Sequence, residues 1–377
     1  MGIKNCDKIE PKLHITPYKI LVMNKELIKE KIEKIKSWWK KENEKPLIQI
    51  SILKDKNFIN LNEFWKKENE EPDFDKIVNA QIDNTKKFEY LGVSYPALPH
   101  LWGGRGTPMT MAAYIGGKVI FREETCWIEP FVKNWKDMKI NFNKENFWIN
   151  MSKKLIEKQI EKYNGEFLIW NSDLGDALTC FSLIRGVENL LIDIIEIPEI
   201  IIEKIDEFVN AWIETHNYFF NIYKEKIPGD ASWLLWAPGK TYACQCDFST
   251  MISPKLFEKF VVYELEKIKD YLEYIVWHLD GPDEIKHIDI LLSLPYIKAI
   301  QIVPGAGKPP CASSLWLPVI EKILKKEKNV IVYASNKEEF MTLIKNFPST
   351  NLLISCGIIN IEKESGRSFL KSVEKYL

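Results

Sequence analysis

Arginine is nearly missing from this chain. Its 377 residues carry 52 basic side chains, and only Arg105, Arg122, Arg185 and Arg367 are guanidinium groups. A guanidinium forks two parallel hydrogen bonds onto a carboxylate or phosphate, which lysine cannot do. Each arginine that remains is therefore a candidate for such a grip, with a residual surface arginine as the other reading. An excess of either charge is also missing. The 53 acidic residues bring the net charge to -1, so nothing in the balance calls for nucleic acid or an anionic membrane. No stretch reaches the ~18 uninterrupted apolar residues of a spanning helix; even NLLIDIIEIPEIII is cut by acids and a proline. The opening MGIKNCDKIEPKLHITP has no apolar core of a signal peptide, and MGIKNC lacks the hydroxyl residue of a myristoylation site. Seven scattered cysteines, an odd number in a long chain, fit reduced thiols in a cytoplasm better than a disulfide scaffold. There is no G-x-G-x-x-G after the first strand, and PGKT lacks the leading glycine of a phosphate loop.

What is present is a succession of short apolar runs separated by amphipathic stretches. WLLWA, YIVWHL, KAIQIV, NVIVYA and NLLISC have strand length and read as buried parallel strands. GKVIFRE, EFLIW, YPALPHLW and PLIQISI are earlier candidates. Ser253-Pro254 supplies a helix cap followed by proline at the first helical position, and Pro198 opens a second long helix whose apolar stripe includes His216, read as a packed core histidine. Repeated βα units of this spacing suggest a single (β/α)8 TIM barrel over residues 91–377, with residues 1–90 as a helical N-terminal extension packed on it. A doubly wound open sheet is the alternative.

A barrel places its site at the C-terminal ends of its strands. EFLIW is followed there by Asp173 and Asp176, and WLLWA by PGKTYACQCDFS with Tyr242, Gln245, Cys246 and Asp247. Asp247 also reads as a cap of the following loop. In VWHLDG, His278 and Asp280 are one residue apart, so extended backbone turns both to the same side. Cys356, at a later strand end, could complete a three-ligand zinc site with an open fourth position. The glycines of PHLWGGRGTPMT would let backbone approach a ligand while Arg105 grips an acidic group, a flexible surface loop being the other reading.

HLDGPDEIKHIDILLSLPYIKAIQIVPGAG, WAPGKTYACQCDFSTMISPKLFEKFV and LIRGVENLLIDIIEIPE together resemble the uroporphyrinogen decarboxylase superfamily, in particular its uroporphyrinogen-decarboxylase-like branch. The resemblance implies a TIM barrel and one of two chemistries: metal-free decarboxylation, or zinc-dependent methyl transfer involving a corrinoid. The decarboxylases carry an arginine-rich N-terminal motif, whereas the first arginine here is Arg105. In the methyltransferases the zinc ligands are a His-x-Cys pair and a later cysteine; His278 and Cys356 match two of these, and Asp280 stands where the first cysteine would be. The resemblance thus implies a methyltransferase moving a methyl group between a small-molecule donor and a corrinoid. Asp173, Tyr242, Gln245 and Asp247 would form the catalytic set, and Trp102, Arg105, Arg185, Trp236 and Gln301 would hold the substrate. His278, Asp280 and Cys356 would hold zinc. The corrinoid would sit on a partner protein, since this chain has no D-x-H-x-x-G motif. A homodimer is the expected assembly, and neither nucleic acid nor membrane is an expected partner.

Three other readings remain. One is a decarboxylase of a small acid. Another is a glycoside hydrolase, which the thirteen tryptophans and strand-end carboxylates would also suit. The last is a barrel that binds a small acid without turnover.

Overall fold

The computed structural model describes residues 24–65, 71–100, 110–121, 126–233, 235–360 and 364–377. Trp102 and Arg105 lie outside the described residues. The main sheet has seven strands in the order β2–β1–β13–β12–β11–β10–β9. They are β1 (Leu47–Leu53), β2 (Phe88–Gly92), β9 (Thr241–Cys244), β10 (Tyr274–Asp280), β11 (Ile297–Val303), β12 (Asn329–Tyr333) and β13 (Leu352–Asn360). Every neighbouring pair is parallel except β1 and β2. Burial explains the parallel run. In β10 the five consecutive residues Ile275 to Leu279 are all buried, as happens when helices cover one face and a packed interior covers the other.

Two further strands, β3 (Ala97–Pro99) and β6 (Leu168–Trp170), form a separate parallel pair. They meet the rest through β7 (Asp230–Ser232): Asn171 N donates to Ala231 O at 2.9 Å, and Thr241 N donates to an Asp230 carboxylate oxygen at 3.0 Å. Among the described residues the sheet does not close, because β2 lies antiparallel on β1 and no ladder joins it to β3. The architecture is therefore mixed α/β, a mostly parallel central sheet among many helices.

Two expected strands take other places. GKVIFRE supplies β4 (Lys118–Phe121), which among the described residues pairs only with β5 (Cys126–Glu129), and WLLWA supplies β8 (Leu235–Ala237), which folds back on β7. The position beside β10 goes instead to the four residues TYAC. Within the N-terminal 90 residues PLIQISI supplies β1, the second strand from one edge of the sheet, and residues 88–90 begin the edge strand β2.

Side-chain caps set the helix starts that the sequence signals. Ser253 Oγ accepts from Leu256 N at 3.3 Å, Asn146 caps Phe147–Glu161, and Asp176 caps Ala177–Arg185 through Thr179 N at 2.9 Å. Pro198 occupies the first turn of Pro198–Tyr223. Among the described residues no helix is long and apolar enough to cross a membrane.

Candidate active site

His278 stands near the C-terminal end of β10, buried, with its ring stacked on Trp233 at 4.8 Å between centroids. Its Nδ1 lies 2.7 Å from Gln301 Oε1 on the neighbouring strand β11, in register with it. The amide nitrogen of Gln301 is committed elsewhere, donating to Tyr333 OH at 2.9 Å and toward Trp233 O at 3.4 Å. That assignment leaves Oε1 as the acceptor, so the Nδ1 of His278 carries a proton and Nε2 is the nitrogen left to exchange one. Three adjacent strands thus fix one imidazole in orientation and tautomer.

A second polar group gathers around Asp173. Its Oδ1 accepts from Gln245 Nε2 at 3.0 Å and from Tyr242 OH at 3.3 Å, and Gly175 N donates to the same tyrosine oxygen at 2.9 Å. Tyr242, within β9, and Gln245, just after it, are buried, and Asp173 is partly exposed. The structure therefore brings Asp173, Tyr242 and Gln245 together, as well as His278 and Gln301.

Asp247 and Asp280 lie beside His278, each residue reaching solvent while the Asp247 carboxyl is partly desolvated. Burial raises the Asp247 carboxyl, the charge of Asp280 raises it further, and His278 opposes both. Beneath them Glu284 is buried and raised well above the usual carboxylate range, chiefly by desolvation and then by Asp247. Asp280 N donates to it at 3.3 Å. Deeper still, Glu264 accepts Ala177 N on both oxygens at 3.1 Å, and Asp176 lies next to that nitrogen.

Burial pushes Asp176 up to about 6 against the opposing bonds from Thr179, with Asp247 adding to the rise. A carboxyl raised on folding stabilises the protein fully below its unfolded value near 3.8, and that contribution is lost as pH rises toward 6. Asn is as good a cap as Asp. Asp176→Asn is therefore expected to raise neutral-pH stability by up to about 3 kcal/mol, at about 1.4 kcal/mol per pH unit. Parallel urea melts at pH 4 and pH 7 check this; an equal gain at both would separate the effect from ionisation.

The zinc expectation meets a different geometry. Among the described residues no group of three or more His, Cys, Asp or Glu side chains is placed to hold a metal ion. Cys356 lies three strands from β10 in the sheet order, buried, at a register shift against β1. Its thiol is pushed up by burial alone, which favours S–H over the thiolate that binds zinc. The residues as arranged do not fit a three-ligand site.

Two substrate-binding expectations are corrected. Arg185 does not face the site: Nε and Nη2 grip Asp193 at 2.7 and 3.2 Å, and Nη1 donates to Lys133 O at 2.8 Å and Val132 O at 3.2 Å. Trp135 Nε1 donates to the same carboxylate at 2.7 Å. The bidentate grip foreseen for a ligand is used internally to tie two helices to a loop. Arg185→Ala is expected to cost about 2–4 kcal/mol because it strands the nearly buried Asp193, and Arg185→Lys should recover only part of that. Denaturant unfolding checks both. Trp236 is also structural. Its indole donates to Pro228 O at 2.6 Å, its carbonyl accepts from Trp39 Nε1 at 2.9 Å, and the ring is buried against the Lys25–Lys40 helix and Gly229.

Sequence reasoning missed Trp233, Tyr333 and Glu284. Tyr333 closes an apolar run and had a strand-end signal. Glu284 was hidden in what reads as an Asp-Gly-Pro turn. Trp233 turns on a left-handed backbone at φ 46°, which no local pattern announces.

No family model matches the chain, and no curated protein matches it. Among solved structures the fold is similar to that of a methyltransferase from Methanosarcina mazei, with a TM-score of 0.58 at 11% identity, covering 92% of this chain and 98% of that one. At that identity the likeness is one of fold.

Proposed function

We propose that this chain is a methyltransferase that moves a methyl group between a small-molecule donor and the corrinoid of a partner protein, on an open variant of the TIM barrel. The observation that carries the reading is the oriented imidazole of His278 at a strand end, fixed through Gln301 and Tyr333 and stacked on Trp233. The similar fold of the Methanosarcina mazei protein and the resemblance of the HLDGP segment support it. Methyl transfer from oxygen or nitrogen leaves an electron pair on the leaving atom. His278 Nε2, once protonated, would deliver a proton there as the methyl carbon is attacked, while Nδ1–H stays on Gln301. Asp173, held by Tyr242 and Gln245, would orient the donor. No step is routed through zinc, because the expected ligands are not brought together.

The test is direct: the purified protein is mixed with cob(I)alamin and a panel of methyl ethers and methylamines, and the conversion of cobalt(I) to methylcobalt(III) is followed by its absorbance. Protein-dependent methylation with at least one donor is the expected result. Failure with every donor, using both free and protein-bound corrinoid, overturns the reading.

A further inference from the structure

Two aspartates stand together beside the oriented imidazole. Asp280 is two residues beyond His278 on β10, so the alternation of the strand turns both side chains to one side. Asp247 opens the short turn after β9, close enough to both for their charges to act on its carboxyl. Both aspartates reach solvent. Among the described residues neither carboxylate forms a salt bridge or a side-chain hydrogen bond; Lys286, on the turn after β10, gives its ammonium to Thr250 O at 2.7 Å. Asp280 and Asp247 therefore repel one another, and of the two neighbours only His278 offsets this.

His278 adds an independent sign of a ligand. The residue is 6% exposed. Its Nδ1 is spent on Gln301, whereas Nε2 has no hydrogen-bond partner among the described residues. Its action on Asp247 places the ring on the acidic side of the strand end. One face of the ring lies on Trp233, and Trp170 stands edge-on to that indole at 6.4 Å between centroids, both tryptophans being half-buried. An unmet ring nitrogen, two unpaired carboxylates and indole surface thus share one corner of the molecule. A neutral donor would leave the repulsion between the carboxylates in place, and an anionic one would add to it. A metal ion would find no third ligand among the described residues. An organic ammonium needs no fixed ligand set: its charge answers the carboxylates, its N–H suits a ring nitrogen, and its methyl groups suit indole faces.

We propose that the methyl donor is a cation, a protonated N-methylamine held by Asp247 and Asp280 with its N–H directed at His278 Nε2. The inference rests on the methyl-transfer reading and narrows its donor. In the step itself cobalt(I) gives an electron pair to the methyl carbon as the C–N bond breaks. The pair of that bond stays on nitrogen, which keeps its proton and leaves as a neutral amine, and the metal ends as methylcobalt(III). The proton that lies between nitrogen and Nε2 is the one the leaving amine retains. Because the charge on nitrogen disappears in the step, the aspartates serve to bind and select the donor and not to speed its breakdown.

The experiment is saturation-transfer NMR and calorimetry on the full chain with trimethylammonium, set against tert-butyl methyl ether and methoxyacetate, alongside the cobalt assay with the same three compounds as donors. The cation is expected to bind roughly tenfold or more tightly than the ether, more weakly as salt is added, and to methylate cobalt. Asp247→Asn and Asp280→Asn should each weaken its binding by about tenfold, the loss of one charged partner, and leave binding of the ether unmoved. Asp280 is at the surface, so Asp280→Asn should keep the wild-type melting temperature and decides alone if Asp247→Asn fails to fold. Equal binding of the ether, unchanged affinity in the variants, or cobalt methylation from the ether and not from the ammonium overturns the proposal. The last of these leaves the methyl-transfer reading standing. Selective, aspartate-dependent binding of the cation with no methylation from any donor does the reverse: it keeps the cation site and overturns methyl transfer.

Discussion

If the proposed methyl transfer is the activity, His278→Ala is expected to slow it by roughly a hundred- to ten-thousand-fold, the range spanned by loss of a positioned acid or base, while leaving the fold intact. The side chain contributes one hydrogen bond and one ring stack, so its removal should cost far less in stability than in rate. The neighbouring variants separate the roles. Gln301→Leu removes the acceptor of Nδ1–H and frees the ring to take the other tautomer, so kcat should fall by about tenfold or more with KM little changed. Tyr333→Phe removes only the partner that holds the Gln301 amide in its orientation and should lie between wild type and Gln301→Leu. Steady-state kinetics across pH check the series. A His278→Ala enzyme with wild-type kcat and an unaltered pH profile would remove the imidazole from the chemistry.

The parts that were legible in the sequence share a physical cause. β10 to β13 are runs buried on both faces, so their apolar character is continuous and their ends are easy to see. Toward the ends of β10 and β11, His278 and Gln301 stand out because turn chemistry does not call for them. What was hidden depends on long-range pairing. TYAC is too short to declare itself a strand, and it gains its place only by lying on β10 from Tyr274 to Trp277. GKVIFRE has good strand chemistry, yet Ile120 pairs with the exposed Trp127 in a two-stranded ribbon outside the main sheet. Arg185 was rightly suspected of a two-pronged grip, but a sequence cannot say whether the carboxylate belongs to a ligand or to Asp193. The same holds for His216, whose core placement was foreseen and whose partners were not.

Those partners meet at Asp230, and Asp230→Ala is expected to be the most destabilising single change considered, at about 3–5 kcal/mol. The carboxylate is 2% exposed. One oxygen accepts from Tyr223 OH at 2.7 Å, Asn171 Nδ2 at 2.8 Å and Ala231 N at 3.0 Å; the other accepts from Thr241 N at 3.0 Å and lies 3.4 Å from His216 Nε2. The donors come from the end of β6, the long Pro198–Tyr223 helix, β7 and β9, so a single side chain joins short strands that, among the described residues, no continuous ladder connects. Truncation would leave several buried donors without an acceptor, each a desolvation cost that water cannot reach to repay. Asp230→Asn keeps one acceptor oxygen but turns an amide toward donors on the other side, and an intermediate loss follows. Because Trp233 and Tyr242 lie just beyond this junction, both variants should also reduce kcat, with Asp230→Ala the more severe. Urea unfolding of the two variants beside wild type tests the order. A loss below about 1 kcal/mol for alanine would mean that the strands around β7 are held by packing and not by this carboxylate.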